Sequence, residues 1–230
     1  MTKTTVVLFD IDGTLLDMRG AGRKAFVRAL KTVFGWDDDI QYVNFAGNTD
    51  LNVLQQVMEK HGRPVTEDDR RRFFDRMPVD LAQTAGEAEL VIYPGVKLLL
   101  EKLSADNRVL LGLVTGNVEA CARIKLWQFD LHEHFVLGAF GDDHADRAEI
   151  ARLAMKRVRD NLQPGQEIAG LFLVGDTPYD IAAAKTIGAK SIAVATGKFG
   201  VDALREAGAD HVLTDLSDTP RVLHLLGLDA

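Results

Sequence analysis

Residues 6–15 read Val-Val-Leu-Phe-Asp-Ile-Asp-Gly-Thr-Leu, and this stretch decides the fold. It starts with a run of apolar residues, which is typical of a short strand buried on both faces. The strand ends on Asp10 and Asp12, which the alternation of an extended chain places on the same side. In open α/β sheets, ligands bind in the crevice beyond the carboxyl ends of the strands. Two carboxylates so close repel each other unless a cation, a proton or N–H donors offset their charge, and hard cations such as Mg²⁺ bind oxygens of this kind.

The composition narrows the class of protein. The chain has 230 residues, of which 47% are hydrophobic, and a net charge of -7. This length suits one domain with an insert, or two small domains, around a sizeable core. An acidic chain without a basic block predicts no nucleic-acid binding, and no apolar run reaches the length of a membrane span. The single cysteine, Cys121, excludes an internal disulfide. With no signal region at the N-terminus, we expect a cytoplasmic protein that is a monomer or a homodimer.

Strand and helix patterns alternate along most of the chain. After the first strand, residues 18–92 contain only helical patterns, at 21–34, 51–61 and 66–77, the last with an extension toward residue 83. Further strands are predicted at 109–114, 168–174, 191–194 and 211–213, and helices lie between them. This alternation predicts an α/β fold, a doubly wound parallel sheet with helices on both faces. The core is expected to comprise residues 1–17 and 93–230, with a compact helical block inserted at 18–92.

Polar residues follow three of the predicted strands. They are Asp10 and Asp12, Thr115 and Asn117, and Asp176 and Asp180. Parallel strands bring their carboxyl ends to one edge of the sheet, so these side chains are expected to meet there. A lone Asp-x-Asp-Gly is also a common turn. Three polar strand ends in an otherwise apolar core are hard to explain by folding alone, because each carboxylate costs stability there unless it is paired.

The ordered set of motifs resembles that of the haloacid dehalogenase (HAD) superfamily. The motifs are Asp10-Ile11-Asp12-Gly13-Thr14, then Thr115, then Gly175-Asp176 followed by Asp180. The helical block after the first motif resembles the C1-type cap of that superfamily. The likeness is best to phosphoglycolate phosphatase-like and β-phosphoglucomutase-like members. It implies a Rossmann-like core with an inserted cap, and a Mg²⁺-dependent phosphatase of a small phosphorylated metabolite.

The resemblance also implies roles for the catalytic residues. Asp10 would be the nucleophile that forms an aspartyl-phosphate. Asp12 would act as general acid toward the leaving alcohol and then as general base toward water. Thr115, with the backbone at Gly116 and Asn117, would hold the phosphoryl oxygens. Alternatively, Thr115 or Asn117 is the N-cap of the next helix.

The metal site follows from the same resemblance. Mg²⁺ would bind the carboxylates of Asp10 and Asp176 and the backbone carbonyl of Asp12. Asp180 would support the metal, although a carboxylate in the first turn of a helix is also favourable by itself. The resemblance therefore leaves two interpretations of Asp180 open.

One motif departs from the usual pattern of the superfamily. A lysine, often before a proline, normally precedes the helix that leads to the third acidic strand, and no Lys-Pro occurs in this chain. Arg147 lies at the start of that predicted helix and is our candidate for the cation. Lys156, nearer the middle of the helix, is the alternative.

Substrate choice is expected to lie in the inserted cap. Gly47 and Asn48 belong to a stretch that resembles the loop before a cap helix that reaches into the active site, although the stretch also fits a helix N-cap. Arg23 and Lys24 either face the substrate or lie on the surface of the first cap helix.

Other activities on the same architecture are also considered. A phosphomutase of the β-phosphoglucomutase type needs cap residues that hold the phosphorylated intermediate, and the sequence does not identify them. A phospho-binding module without turnover would not need Asp12. A dehalogenase is disfavoured because those relatives lack the second aspartate.

Overall fold

The computed structural model describes residues 2–229. The strands are β1 (Thr2–Phe9), β2 (Leu16–Asp17), β3 (Val91–Ile92), β4 (Val109–Val114), β5 (Leu137–Ala139), β6 (Gln166–Gly175), β7 (Lys190–Val194) and β8 (His211–Leu213). The helices are α1 (Ala21–Phe34), α2 (Asp50–Lys60), α3 (Glu67–Gly86), α4 (Val96–Ser104), α5 (Glu119–Trp127), α6 (Arg147–Asn161), α7 (Pro178–Thr186), α8 (Val201–Glu206) and α9 (Thr219–Leu225). Within this part of the chain, no helix combines the length and the apolar character that a membrane span needs.

Six parallel strands form the central sheet in the order β5-β4-β1-β6-β7-β8. The chain moves outward from β1 in one direction through β4 and β5, and in the other through β6, β7 and β8. The order therefore reverses beside β1, and a crevice opens at the carboxyl ends of the strands at such a switch point. The predicted doubly wound α/β fold is confirmed.

Side chains of β1 alternate between two apolar clusters. Val7 and Phe9 pack into a cluster that includes residues of α4 and α5, whereas Val6 and Leu8 pack into one that includes residues of α6 and α7. All four side chains are fully buried. This is the pattern of a central strand with helices on both sheet faces, and it explains why the sequence there is continuously apolar.

The helices α1, α2 and α3 lie between β2 and β3. Phe26 of α1 packs against Phe73 of α3 with ring centroids 4.7 Å apart. The predicted bounds of α1 are those observed, and α3 continues beyond the predicted residue 77, with Pro78 inside the helix. The reason is that Leu81 and Ala85 extend the buried face of the helix beyond the proline.

The short strands β2, β3 and β5 were not predicted from the sequence. Strands β2 and β3 pair in antiparallel fashion, Leu16 with Ile92 and Asp17 with Val91, where the chain enters and leaves the helical insert. Each is only two residues long, which is too short for a periodic pattern. Helix α9 follows the last strand and was also not predicted. The division into a core of residues 1–17 and 93–230 and a cap of residues 18–92 stays a prediction.

Candidate active site

The polar residues predicted at the strand ends line a single cavity. Asp10 follows β1, Thr115 follows β4 and Asp176 follows β6, and all three line a cavity of about 710 Å³. The backbone N–H of Asp10 donates to the carbonyl of Val174 over 2.9 Å, which extends the pairing of β1 with β6 up to the site. Residues of the helical insert, among them Phe45, line the same cavity. The site thus lies between the sheet edge and the insert.

Three buried carboxylates form an acidic cluster, and two of them, Asp10 and Asp176, line this cavity. One oxygen each of Asp10, Asp176 and Asp180 lies within 4.8 Å of the others. Burial raises the pKa of Asp176 and of Asp10, and the neighbouring carboxylates raise both further, while Arg147 opposes the effect. When ionised, the three carboxylates therefore carry more negative charge than the single guanidinium of Arg147 balances. A set of clustered carboxylate oxygens suits a hard divalent cation such as Mg²⁺.

Glycines leave room for the side chain of Asp176. A Cβ on Gly13 would lie 2.3 Å from Oδ2 of Asp176, and a Cβ on Gly197 would lie 1.7 Å from the same atom. Gly13 also has a φ of 81°, in the region that favours glycine. The glycine of the Asp-x-Asp-Gly motif is thus required both by the turn and by the close approach of the acidic cluster.

Arg147 is the cation that the structure brings to the carboxylates. It is buried at the start of α6, where Nη2 lies 2.8 Å from Oδ1 of Asp10 and 2.5 Å from Oδ1 of Asp180. Lys156, the alternative, is exposed on the same helix and does not line the cavity. Of the two candidates, only Arg147 has the position that the predicted role requires.

Asp180 fits both of the interpretations that the sequence left open. Its Oδ2 accepts hydrogen bonds from the backbone N–H of Thr177 at 3.0 Å and from Oγ1 of Thr177 at 2.7 Å, which completes a capping box at the start of α7. Its Oδ1 accepts from Arg147. One carboxylate thereby fixes the start of α7 and the orientation of the buried guanidinium.

Asp12 lies outside the acidic cluster and is held by a lysine that was not predicted. Its Oδ2 accepts from Nζ of Lys125 at 2.6 Å and from Nδ2 of Asn117 at 2.7 Å. Lys125 also donates to Oδ1 of Asn117 at 2.5 Å. Burial lowers the pKa of Lys125, but the ion pair with Asp12 outweighs it and leaves this pKa above its ordinary value. The available signal was a lysine on an otherwise apolar helix face, since a buried lysine is almost always paired.

Asp50 lies close to this lysine and links the insert to the core. Its Oδ2 accepts from the backbone N–H of Val118 at 2.9 Å, just before α5. Burial raises the pKa of Asp50 to about 6, and the charge of Lys125 opposes this rise. The next N–H, that of Glu119, donates to Oδ1 of Asp142 at 3.0 Å. The first N–H groups of α5 are therefore bound by two aspartates that lie outside this helix.

Thr115 and Asn117 do not cap the next helix. The N-cap position of α5 is Val118, so the capping alternative for both residues is wrong. Oγ1 of the buried Thr115 accepts from Nδ2 of Asn117 at 2.7 Å, which leaves the hydroxyl hydrogen free to donate into the cavity.

The four residues predicted to bind phosphate all line the cavity. Gly116 and Asn117 come from the core, and Gly47 and Asn48 come from the insert. A Cβ on Gly116 would lie 1.9 Å from the carbonyl oxygen of Asn48, and one on Gly47 would lie 2.3 Å from the ring of Tyr179. The loop before α2 therefore packs closely against the core, while Thr49, and not Asn48, caps α2.

We expect the metal-free protein to lose stability as the pH rises. The raised pKa values of Asp10 and Asp176 mean that the folded chain binds more protons than the unfolded chain between pH 4 and pH 8. This contribution is complete below the ordinary carboxyl pKa and is lost as the pH passes the raised values. The free energy of unfolding, measured by urea titration, is expected to fall by on the order of 1–3 kcal/mol between pH 5 and pH 8.

Asp176→Asn is the control, because it removes one carboxylate from the cluster and should flatten this dependence. Mg²⁺ should raise the melting temperature of the unchanged protein more at pH 8 than at pH 5, since a cation binds the ionised carboxylates better. The same pH dependence of stability in both proteins would show that the carboxylate of Asp176 does not cause it.

Comparisons with known proteins identify the family and the fold of this chain. A family model described as "Haloacid dehalogenase-like hydrolase" matches residues 7–194. A "Probable phosphatase IndB" from Dickeya dadantii is 30% identical over 94% of this chain and 97% of that protein. A phosphoglycolate phosphatase from Chromobacterium violaceum is 28% identical over 92% of this chain and 93% of that protein. The crystal structure of a hydrolase from Pseudomonas syringae, at 22% identity, has the same fold, with a TM-score of 0.69 and coverage of 96% of this chain and 98% of that chain. The chain belongs to the haloacid dehalogenase-like hydrolase family.

Proposed function

We propose that the protein is a Mg²⁺-dependent phosphatase that hydrolyses a small phosphorylated metabolite through an aspartyl-phosphate on Asp10. The observation that carries this proposal is the convergence of Asp10, Asp176, Asp180 and Arg147 within one buried cluster. The names of two relatives, a probable phosphatase and a phosphoglycolate phosphatase, support the reaction class.

The first step transfers the phosphoryl group to Asp10. A carboxylate oxygen of Asp10 attacks phosphorus while the bond from phosphorus to the ester oxygen breaks. Arg147 holds Oδ1 of Asp10 at 2.8 Å, which fixes the carboxylate for this attack. Asp12, in its protonated form, gives a proton to the leaving alcohol. The side chain of Asp12 suits this role because it is 42% exposed and borders the cavity instead of belonging to the acidic cluster.

The second step releases phosphate from Asp10. Asp12, now ionised, takes a proton from water as the water oxygen attacks phosphorus, and the aspartyl-phosphate bond breaks to restore Asp10. The hydroxyl of Thr115 and the backbone N–H groups at Gly116 and Asn117 are proposed to bind the phosphoryl oxygens in both steps.

The acidic cluster would hold the metal. Asp10 and Asp176 would bind Mg²⁺ with the backbone carbonyl of Asp12, and Asp180 would support the site. When bound, Mg²⁺ would offset the repulsion between the carboxylates and the phosphate. The loop of Gly47 and Asn48 is proposed to enclose the substrate from the insert side.

The test is phosphate release from a generic aryl phosphate with and without Mg²⁺. We expect release that depends on Mg²⁺ and stops when the metal is chelated. Binding of phosphate without any turnover, over a panel of phosphorylated metabolites, would identify a phospho-binding module. An isomeric product without phosphate release would identify a phosphomutase.

Arg147→Ala should lower kcat by about 10²–10³-fold and raise KM, because it removes the cation beside the nucleophile and the phosphate. Steady-state kinetics on an aryl phosphate measure the effect, with a melting curve to check folding, since Asp10 and Asp180 would lose their buried partner. Lys156→Ala, an exposed change on the same helix, should behave as the unchanged protein. The opposite result, with activity lost only in Lys156→Ala, would show that Lys156 is the cation of the motif.

A further inference from the structure

We infer that Arg23 is a specificity residue that binds an oxyanion, a carboxylate or a second phosphate, on the leaving alcohol of the substrate. This inference rests on the proposed phosphatase function. The part of the alcohol that lies between the ester oxygen and this oxyanion is then apolar.

The cavity is larger and more apolar than a phosphate group requires. Its volume of about 710 Å³ lies within the roughly 300–1,000 Å³ of pockets that enclose sizeable ligands. Apolar side chains lining it are Met18, Phe45, Val53, Met77, Leu81 and Tyr93. Several of these are buried within the insert or beside it. Such a lining favours an alcohol with an apolar or aromatic body over a short, fully polar one.

Basic residues of the cavity differ in whether a carboxylate balances their charge. The cavity is lined by Arg19, Arg23, Lys125, Arg147 and Lys198. Three of these have a carboxylate partner: Arg19 pairs with Asp17, Lys125 with Asp12, and Arg147 with Asp10. Lys198 is exposed. Within residues 2–229, Arg23 is half-buried and its hydrogen bonds go to backbone carbonyls alone, so its charge has no acidic partner.

The guanidinium of Arg23 is held in place before any substrate binds. Nη1 donates to the carbonyl of Ile40 at 2.7 Å, and Nη2 donates to the carbonyl of Val43 at 2.9 Å. The group also lies over the ring of Phe45, 4.5 Å from its centroid. A guanidinium has five N–H donors, so donors remain after these two bonds. A fixed, planar fork with free donors is suited to bind a carboxylate or phosphate oxygen pair at little entropic cost.

The neighbouring Lys24 provides the contrast. The sequence offered Arg23 and Lys24 equally as residues that face the substrate. In the structure Arg23 lines the cavity, whereas Lys24 is exposed on α1 and does not. Lys24→Met is therefore a matched loss of one positive charge on the same helix, outside the site.

The test compares substrates that differ only in the inferred group. Phenyl phosphate supplies the body without an oxyanion, 4-carboxyphenyl phosphate adds a carboxylate, and 1,4-phenylene bisphosphate adds a second phosphate. We expect kcat/KM for at least one oxyanion substrate to exceed that for phenyl phosphate by about tenfold or more. Arg23→Met should lower kcat/KM for the preferred oxyanion substrate by about tenfold or more relative to kcat/KM for phenyl phosphate, and Lys24→Met should leave this ratio unchanged. The ratio between variants cancels the intrinsic reactivity of each ester.

Each outcome of this experiment has a distinct meaning. If the unchanged protein hydrolyses no aryl phosphate with Mg²⁺, the proposed function fails. If it hydrolyses phenyl phosphate but shows no oxyanion preference, or if Arg23→Met slows all substrates equally, Arg23 is structural and the inference is overturned. Should Arg23→Met melt at a much lower temperature, Arg23→Lys takes its place, since it keeps the charge but lacks the fork and should give an intermediate preference. An unchanged preference in Arg23→Lys together with normal folding would also overturn the inference.

Discussion

Asp10→Asn is expected to abolish turnover with good and poor leaving groups alike, by about 10⁴-fold or more. An amide at this position cannot form the acyl phosphate, so the hydrolysis of every substrate should be lost. The substitution is nearly isosteric, and the amide oxygen can still accept from Arg147, which lies 2.8 Å from Oδ1 of Asp10. Phosphate release from aryl and alkyl phosphates measures the loss.

The stability of this variant distinguishes a lost nucleophile from a lost fold. Asp10 belongs to a cluster in which burial and neighbouring carboxylates raise the pKa of Asp176. Removing one negative charge from that cluster should leave the metal-free protein as stable as the unchanged protein at pH 8, or more so. Inactivity with intact stability is therefore the expected result. Activity within about tenfold of the unchanged protein would mean that Asp10 is not the nucleophile.

The features of the fold that could be predicted from the sequence depend on residues close together in the chain. Gly35, with a φ of 74°, ends α1 at the predicted residue, and Thr66 opens α3 through a capping box with Asp69. Each of these elements is fixed by residues within a few positions of each other, so the sequence contains the whole signal. The continuous apolar run of β1 likewise identified a central strand.

Topology then brought distant residues to one place. Because β1, β4 and β6 are parallel neighbours, the residues that follow them must meet at one edge. This rule predicted that Asp10, Thr115 and Asp176 would line one cavity without any knowledge of loop geometry. Arg147 was identified differently, through the resemblance to the superfamily, which requires a cation before the helix that leads to the third acidic strand.

Contacts between side chains that are far apart in the chain could not be predicted from the sequence. The pairing of Lys125 with Asp12 spans 113 positions, and the pattern of α5 indicated only that Lys125 lies on an apolar face. Capping of α5 by Thr115 or Asn117 was the alternative interpretation of those residues, but Asp50 and Asp142 accept its first N–H groups instead. Such partners come from the packing of the insert on the core, for which no local rule exists.

Asp12→Asn should give a different defect from Asp10→Asn, because it removes the acid and base but leaves the nucleophile. Formation of the aspartyl-phosphate should suffer least with an aryl phosphate, whose leaving group needs little protonation. Hydrolysis of the intermediate should slow by about 10²–10⁴-fold for every substrate, since the attacking water loses its base. The expected signature is a burst of aryl alcohol, about one per active site, followed by slow turnover.

The surroundings of Asp12 make this burst a sharp test of mechanism. Lys125 and Asn117 both donate to Oδ2 of Asp12, so an amide whose oxygen takes this position can keep both contacts and hold its place at the rim of the cavity. Rapid-quench measurement of the burst, with labelled phosphate trapped on Asp10, separates the two chemical steps. The same burst is not expected in Asp10→Asn, which serves as the control. If Asp12→Asn gave neither burst nor trapped phosphate while Asp10→Asn kept its activity, direct attack of water on phosphorus would replace the covalent mechanism.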